Sequence, residues 1–168
     1  QTDADVYAWQ KTQVHTELLD VASDRAKELG YALHWGRQSD CDNYVEGEAT
    51  KMRRVALAVR TGWPVYAMDH SELSSAGLLQ TGRWAERAIP VGDGTAHVIV
   101  ATVYGYSGSS CDPTLARANE TLLRAALHRP SCFVATPYFF CGDININPVA
   151  SLACCTAFDA GVLNDVTA

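Results

Sequence analysis

Eight consecutive residues, Cys141-Gly142-Asp143-Ile144-Asn145-Ile146-Asn147-Pro148, carry the sharpest chemical signal in the sequence. The apolar run Tyr138-Phe139-Phe140-Cys141 leads into them and reads as a buried strand. Alternation along an extended backbone turns residues two apart to one side, so Asp143 and Asn145 would leave the strand end facing the same pocket. A carboxylate and a carboxamide so placed suit a phosphoryl centre. Asp143 would be a metal ligand or a base that orients water, and Asn145 a neutral donor to a phosphate oxygen. Asp, Asn and Gly also favour turns for backbone reasons alone, so Gly-Asp-x-Asn is equally a turn signature.

The elements that must position this pair are readable in outline. Residues 6–9 form a short buried strand, and Val14, Leu18, Val21, Ala22, Arg25, Ala26 and Leu29 follow at helical spacing up to a stop at Gly30. Residues 31–35 alternate as a second strand, 38–48 form a polar acidic loop, and 55–59 are a continuous apolar run of the kind buried on both faces. Residues 65–68 offer another short strand, while 71–81 are weakly patterned. Residues 83–91 and 96–104 flank Gly92-Asp93-Gly94 and predict a β-hairpin. Asp112-Pro113 is a cap followed by a helix-starting proline, so a helix runs from there to Pro130. Asn147-Pro148 repeats that start for a last helix through Leu152 to Phe158. Interleaved strands and helices, with no internal repeat or linker, predict one layered α/β unit.

Composition narrows the function. A chain of 168 residues with 48% apolar content can bury a core without staples. Its six cysteines make no CxxC pair and no zinc spacing, and read as reduced thiols. No apolar run is long enough to span a membrane and no leader pattern opens the chain, which predicts a soluble intracellular protein. A net charge of −6 argues against a broadly basic nucleic-acid surface and leaves only local patches. The densest is Lys51-Met52-Arg53-Arg54, whose plainer reading is the solvated start of a strand.

An apolar strand ending in Gly-Asp-x-Asn before a proline-started helix resembles the Gly-Asp-Phe-Asn signature of the endonuclease/exonuclease/phosphatase superfamily, with Ile144 in place of Phe. Residues 4–12, Ala-Asp-Val-Tyr-Ala-Trp-Gln-Lys-Thr, resemble that family's early strand ending in Gln-Glu-Thr. Residues 55–60 resemble its next core strand, and 98–104 the strand that presents a Tyr near the scissile phosphate. The resemblance implies a four-layer α/β sandwich of two sheets faced by helices, with catalytic residues gathered at one end. It implies a Mg2+-dependent phosphodiesterase, endonuclease-like, acting on nucleic acid or another phosphodiester. Asp143, Asn145 and Tyr104 would then be its catalytic residues and Asp143 a metal ligand. For Tyr104 the residue alone suggests an amphipathic plug closing a strand. Arg83 could meet a phosphate bidentately, although an exposed strand arginine is the plainer reading.

Three departures change the expectation. Lys11 stands where the family has its metal-binding Glu, and an ammonium has no lone pair to give a cation. A unit-charge repulsion at ~4 Å is roughly 4 kcal/mol at an intermediate dielectric, enough to remove orders of magnitude of metal affinity. Lys11 could instead supply the positive charge itself. The family's opening strand with its Asn would precede Gln1, and its closing Ser-Asp-His would follow Ala168. Residues 1–168 are therefore expected to be a single partial domain of a longer polypeptide, incomplete as a sandwich and impaired or inactive. The alternative is a degenerate, non-catalytic copy that serves as a binding module. An unrelated α/β domain, in which the motif is only a turn, would show a single parallel sheet.

Overall fold

The structure, a computed structural model, describes residues 4–37, 52–69, 73–133 and 135–162. Their elements run β1 (Val6–His15), α1 (Leu19–Glu28), β2 (Tyr31–Trp35), β3 (Met52–Arg60), β4 (Tyr66–Ala67), α2 (Leu73–Gln80), β5 (Trp84–Val91), β6 (Ala96–Tyr104), α3 (Pro113–His128), β7 (Tyr138–Asp143) and α4 (Leu152–Asp159). The acidic loop expected at 38–48 lies outside the described residues.

Two sheets form, not one. The first has the order β1-β3-β2 and is antiparallel, and the second has the order β4-β5-β6-β7. In the second sheet β4, β5 and β6 are antiparallel and β7 joins β6 in parallel. This arrangement disposes of the single-parallel-sheet alternative. The apolar run of β3 is the inner strand of its sheet, and Val55 through Val59 are fully buried, as a strand covered on both faces requires. Val55 and Leu57 meet Ala85 and Tyr104 of the opposite sheet, which closes the middle of the sandwich. On the outer face of the second sheet, Trp84, Ala101 and Val103 pack under Leu78 of α2 and Leu122 and Ala126 of α3. Helix α1 lies against β2, where the Trp35 indole N–H donates to Ser23 Oγ at 3.2 Å. Helix, sheet, sheet and helix make four layers, the architecture expected.

Several local expectations are corrected. Strand β1 does not stop at Trp9 but continues to His15, so Val14 belongs to it, and α1 begins only at Leu19 after a 3-10 turn. The weakly patterned stretch at 71–81 contains α2. Asn147-Pro148 starts a single 3-10 turn, and Ser151 caps α4 afresh by accepting the Cys154 N–H. Strand β7 is not buried: it is an edge strand among the described residues, with Phe139 62% exposed. The cap at Asp112 holds as read, its carboxylate accepting the Thr114 and Leu115 amides. No disulfide joins any of the five described cysteines. No helix among the described residues is long and apolar enough to cross a membrane.

One buried ionic knot ties the second sheet to its helical layer. Glu86 of β5 is 1% exposed and Arg129, just past α3, is 3% exposed. The guanidinium gives Nε–H and Nη2–H to Glu86 Oε2, both at 3.1 Å, and Nη2 also reaches the Asp69 carbonyl at 2.6 Å. Tyr138 of β7 donates its hydroxyl to the other carboxylate oxygen. Burial, and then the Glu86 charge, push the Tyr138 pKa far up, so the phenol stays a donor.

The sheet interface also holds a titrating group. His34 of β2 has its Nε2 buried without a partner, and burial and then Arg87 hold its pKa below the ordinary 6.5. The unfolded chain therefore takes up the proton first. Stability from a neutral His34 is fully present above about pH 6.5 and is lost as the pH falls from there through the lowered folded value. Urea midpoints measured at pH 7.5 and 5.0 should drop less in His34→Gln than in the parent chain. An equal drop in both proteins would show that carboxylates alone carry the acid sensitivity.

Candidate active site

The parallel register of β6 and β7 aligns Tyr104 with Asp143, each at the C-terminal end of its strand. Aligned residues of a parallel pair point to the same face. Tyr104 turns into the gap between the sheets, where it is 3% exposed and its hydroxyl meets Ser107 Oγ at 2.7 Å. Asp143 stands at the exposed strand end, and its Oδ1 accepts the Asn145 N–H at 3.1 Å. That bond is the Asx turn the motif allowed for, so the turn and the presentation of the carboxylate are one structure.

Asn145 is held from three sides. Its backbone adopts φ +52°, a left-handed conformation that asparagine tolerates better than most residues. Its Nδ2–H donates to the Gly105 carbonyl at 3.1 Å, and its own carbonyl accepts the Ser109 hydroxyl at 2.6 Å. Gly105 follows Tyr104 directly and must be glycine for reasons of space: a Cβ there would sit 2.2 Å from the Ile144 carbonyl oxygen. The two strand exits thus run in contact.

Asn119 of α3, which sequence reasoning missed, clamps both exits. It is fully buried, accepts the Tyr106 N–H on Oδ1 at 3.0 Å and donates Nδ2–H to the Ile144 carbonyl at 2.8 Å. An asparagine in a helix otherwise reads as part of the polar face. Only its lack of any helical reason for being there could have flagged it.

Lys11 reaches the same end from the other sheet. The preceding residue, Gln10, donates Nε2–H to Thr102 Oγ1 at 2.7 Å, and Thr102 pairs with Cys141, two residues before Asp143. Lys11 lies in a bulge of β1: Gln10 pairs with Val55 and Val14 with Arg53, so three residues of β1 oppose Arg54 alone. Lys11 and Gln13 adopt φ +55° and +49° there, and Lys11 is exposed. Bulges of this kind re-aim side chains.

Arg83 is not the exposed arginine expected. Its guanidinium donates to the carbonyls of Tyr104 and Gly105 at 3.1 and 2.9 Å and lies 3.9 Å from the Tyr106 ring centroid. Burial, then the neighbouring Arg54 charge, lower its pKa. Both act against a cation, and the aromatic faces offset part of that cost.

The described donors around Asp143 fall short of a Mg2+ site. One carboxylate oxygen is occupied by an amide, Asn145 Nδ2 is turned to a carbonyl, and Mg2+ asks for several hard oxygens in near-octahedral array. Among the described residues no three His, Cys, Asp or Glu side chains gather as a metal cluster.

No protein-family model matches the chain, and no curated protein matches it. Solved structures do. The human nocturnin catalytic domain, solved with bound sulfate, superposes with a TM-score of 0.63 at 15% identity, over 95% of this chain and 57% of that one. ANGEL2, a 2',3'-cyclic phosphatase in complex with adenosine-2',3'-vanadate, gives 0.61 at 16% identity over 95% and 44%. Sphingomyelinase C from Streptomyces griseocarneus gives 0.55 at 14% identity over 94% and 56%. The chain thus spans about half the length of the solved structures it matches. Two packed sheets, helices on both outer faces and near-complete coverage by these structures give this chain the endonuclease/exonuclease/phosphatase fold.

Proposed function

We propose that residues 1–168 are a partial phosphodiesterase-type domain whose site lies at the strand ends carrying Tyr104, Asp143 and Asn145. The observation that carries this is the in-register pairing of Tyr104 with Asp143, with Asn145 held against Gly105 beside them. Asp143 keeps one carboxylate oxygen clear of the Asx turn, available to orient a water or to join a metal. Asn145 offers its second amide hydrogen to a phosphate oxygen. Tyr104, anchored through Ser107, shapes the wall of the site and can turn its hydroxyl toward the same phosphate. The substrate class is a phosphodiester, of nucleic acid or another kind. Mg2+, in a complete site, would polarise the phosphate and acidify a water. In this chain Lys11 stands where the resemblance expects a metal-binding Glu, so on this reading hydrolysis is weak or absent.

The second reading is a non-catalytic copy that binds a partner through the same end, and Lys11 in its bulge favours it. Metal titration separates the two. Lys11→Glu is expected to bind Mg2+ at least about tenfold more tightly than the parent chain, since one cation is replaced by a ligand. It should also gain Mg2+-dependent cleavage of a phosphodiester. If neither protein shows saturable Mg2+ binding and neither cleaves, the catalytic reading is abandoned for the binding module.

A further inference from the structure

Arg83 meets the end of β6 with both its backbone and its side chain. Trp84 pairs with Val103, and one step further out the Arg83 carbonyl accepts the Tyr104 N–H at 2.9 Å. The side chain then folds back over the same strand end. One guanidinium nitrogen, Nη1, donates to the Tyr104 carbonyl at 3.1 Å and to the Gly105 carbonyl at 2.9 Å. The guanidinium carbon lies 5.3 and 3.9 Å from the Tyr104 and Tyr106 ring centroids. Taking a guanidinium out of water is costly, and the end of a strand does not by itself require one. Its value lies in what those two carbonyls hold.

The second of them holds Asn145. The Gly105 carbonyl accepts the Asn145 Nδ2–H at 3.1 Å, so its two lone pairs are shared between Arg83 and Asn145. The Gly105 N–H in turn donates to the Asp143 carbonyl at 2.7 Å. Gly105 is buried, and a Cβ on it would meet Asn119 Oδ1 at 2.8 Å as well as the Ile144 carbonyl. The peptide that Arg83 grips is thus the one on which the exit of β7 rests.

The Asn145 carboxamide has no second anchor. Its backbone N–H and carbonyl are tied to Asp143 and Ser109, but no hydrogen bond among the described residues reaches its Oδ1. A single bond therefore sets the plane of the amide, and with it the direction of the remaining Nδ2 hydrogen. Asn119 differs, because its carboxamide is held at both ends, by the Tyr106 N–H and the Ile144 carbonyl.

We propose that Arg83 is a positioning residue for Asn145, fixing the carboxamide through the Gly105 carbonyl that both side chains share. The assignment rests on the phosphoester reading only for what Asn145 then does: an amide hydrogen aimed from a fixed plane meets a phosphate oxygen without first losing rotational freedom.

The test is nuclear magnetic resonance on the 168-residue chain, following exchange of the Asn145 and Asn119 carboxamide protons with water. Arg83→Met is expected to speed exchange at Asn145 about tenfold, the scale of one hydrogen bond to a charged group, and to move Asn119 much less. Asn119 serves as the control because no bond of its carboxamide goes to Arg83, so general loosening of this end would release both amides together. Arg83→Lys keeps a charged donor without the fork and should fall between parent and Met. Equal acceleration of the two amides, or none at Asn145, overturns the assignment. Should Arg83→Met not fold, Arg83→Lys carries the same comparison, with selective acceleration at Asn145 supporting the role and equal or no acceleration ending it. Phosphodiester cleavage is scored separately in Lys11→Glu with Mg2+. Selective release of Asn145 with no cleavage leaves the positioning role standing while the catalytic reading fails. Cleavage together with equal release of both amides does the reverse.

Discussion

Arg129→Ala is expected to destabilise the fold by about 3–5 kcal/mol, the range for removing one partner of a buried ion pair. Glu86 would remain at 1% exposure, keep the Tyr138 hydroxyl and lose the guanidinium that faces its other oxygen. The Asp69 carbonyl would lose its donor as well. Guanidinium denaturation followed by tryptophan fluorescence reads this directly. Arg129→Lys keeps the charge, cannot donate in a fork, and should fall between parent and alanine. If Arg129→Ala is too unstable to purify, the double variant Glu86→Leu/Arg129→Leu decides the matter. It should fold, because removing both charges avoids the stranded one. Stability of Arg129→Ala within 1 kcal/mol of the parent, by order of magnitude, would mean that the knot is solvated and not buried.

Asn119→Ala comes next, at about 2–4 kcal/mol. It takes the Asn119 partner from the Tyr106 N–H and the Ile144 carbonyl, both half-buried, at about 1–3 kcal/mol each. Stability alone would not distinguish a clamp from ordinary packing, so a local readout is required. Amide exchange at Tyr106 should accelerate beyond the global loss of stability, because its acceptor is gone. Asn119→Asp keeps that acceptor and faces the Ile144 carbonyl with a second oxygen. It should protect Tyr106 while still destabilising the fold. Were Tyr106 exchange to follow global unfolding in both variants, Asn119 would be a packing residue with no special hold on the two strand exits.

The sequence disclosed most where one residue type had one physical job. Asp112-Pro113 fixed the start of α3, the apolar block of β3 announced an inner strand, and Gly92-Asp93-Gly94 marked the hairpin. It misled where two periods fitted the same residues. Val14 lies at helical spacing from Leu18, and nothing local announces that it follows a bulge in a strand. Helix α2, with sequence Leu-Ser-Ser-Ala-Gly-Leu-Leu-Gln, lacks a clean polar face and so lacks a signature. Strand β7 reads as buried from composition, since exposure of Phe139 depends on which strands stand beside it. At the candidate site, spacing singled out Asp143 and Asn145 and an unexpected charge singled out Lys11. Asn119 and the trio Glu86, Arg129 and Tyr138 were not singled out. Their partners lie 13 to 60 residues away along the chain, and each alone is an ordinary surface residue type. Arg83 was misjudged for the same reason, its aromatic shelter being made by residues that follow a different strand.

The bulge in β1 has a length that matters. Between the pairs Gln10–Val55 and Val14–Arg53 one strand advances four residues and the other two, so the excess is two. Two is a full pleat repeat, which returns Val14 to the side that Gln10 faces. Removing both surplus residues would leave a plain ladder with inside and outside preserved, and removing one would leave the common bulge in which two residues oppose one. The surplus at this point therefore sets how far Lys11 is lifted off the ladder while the strand on either side keeps its facing.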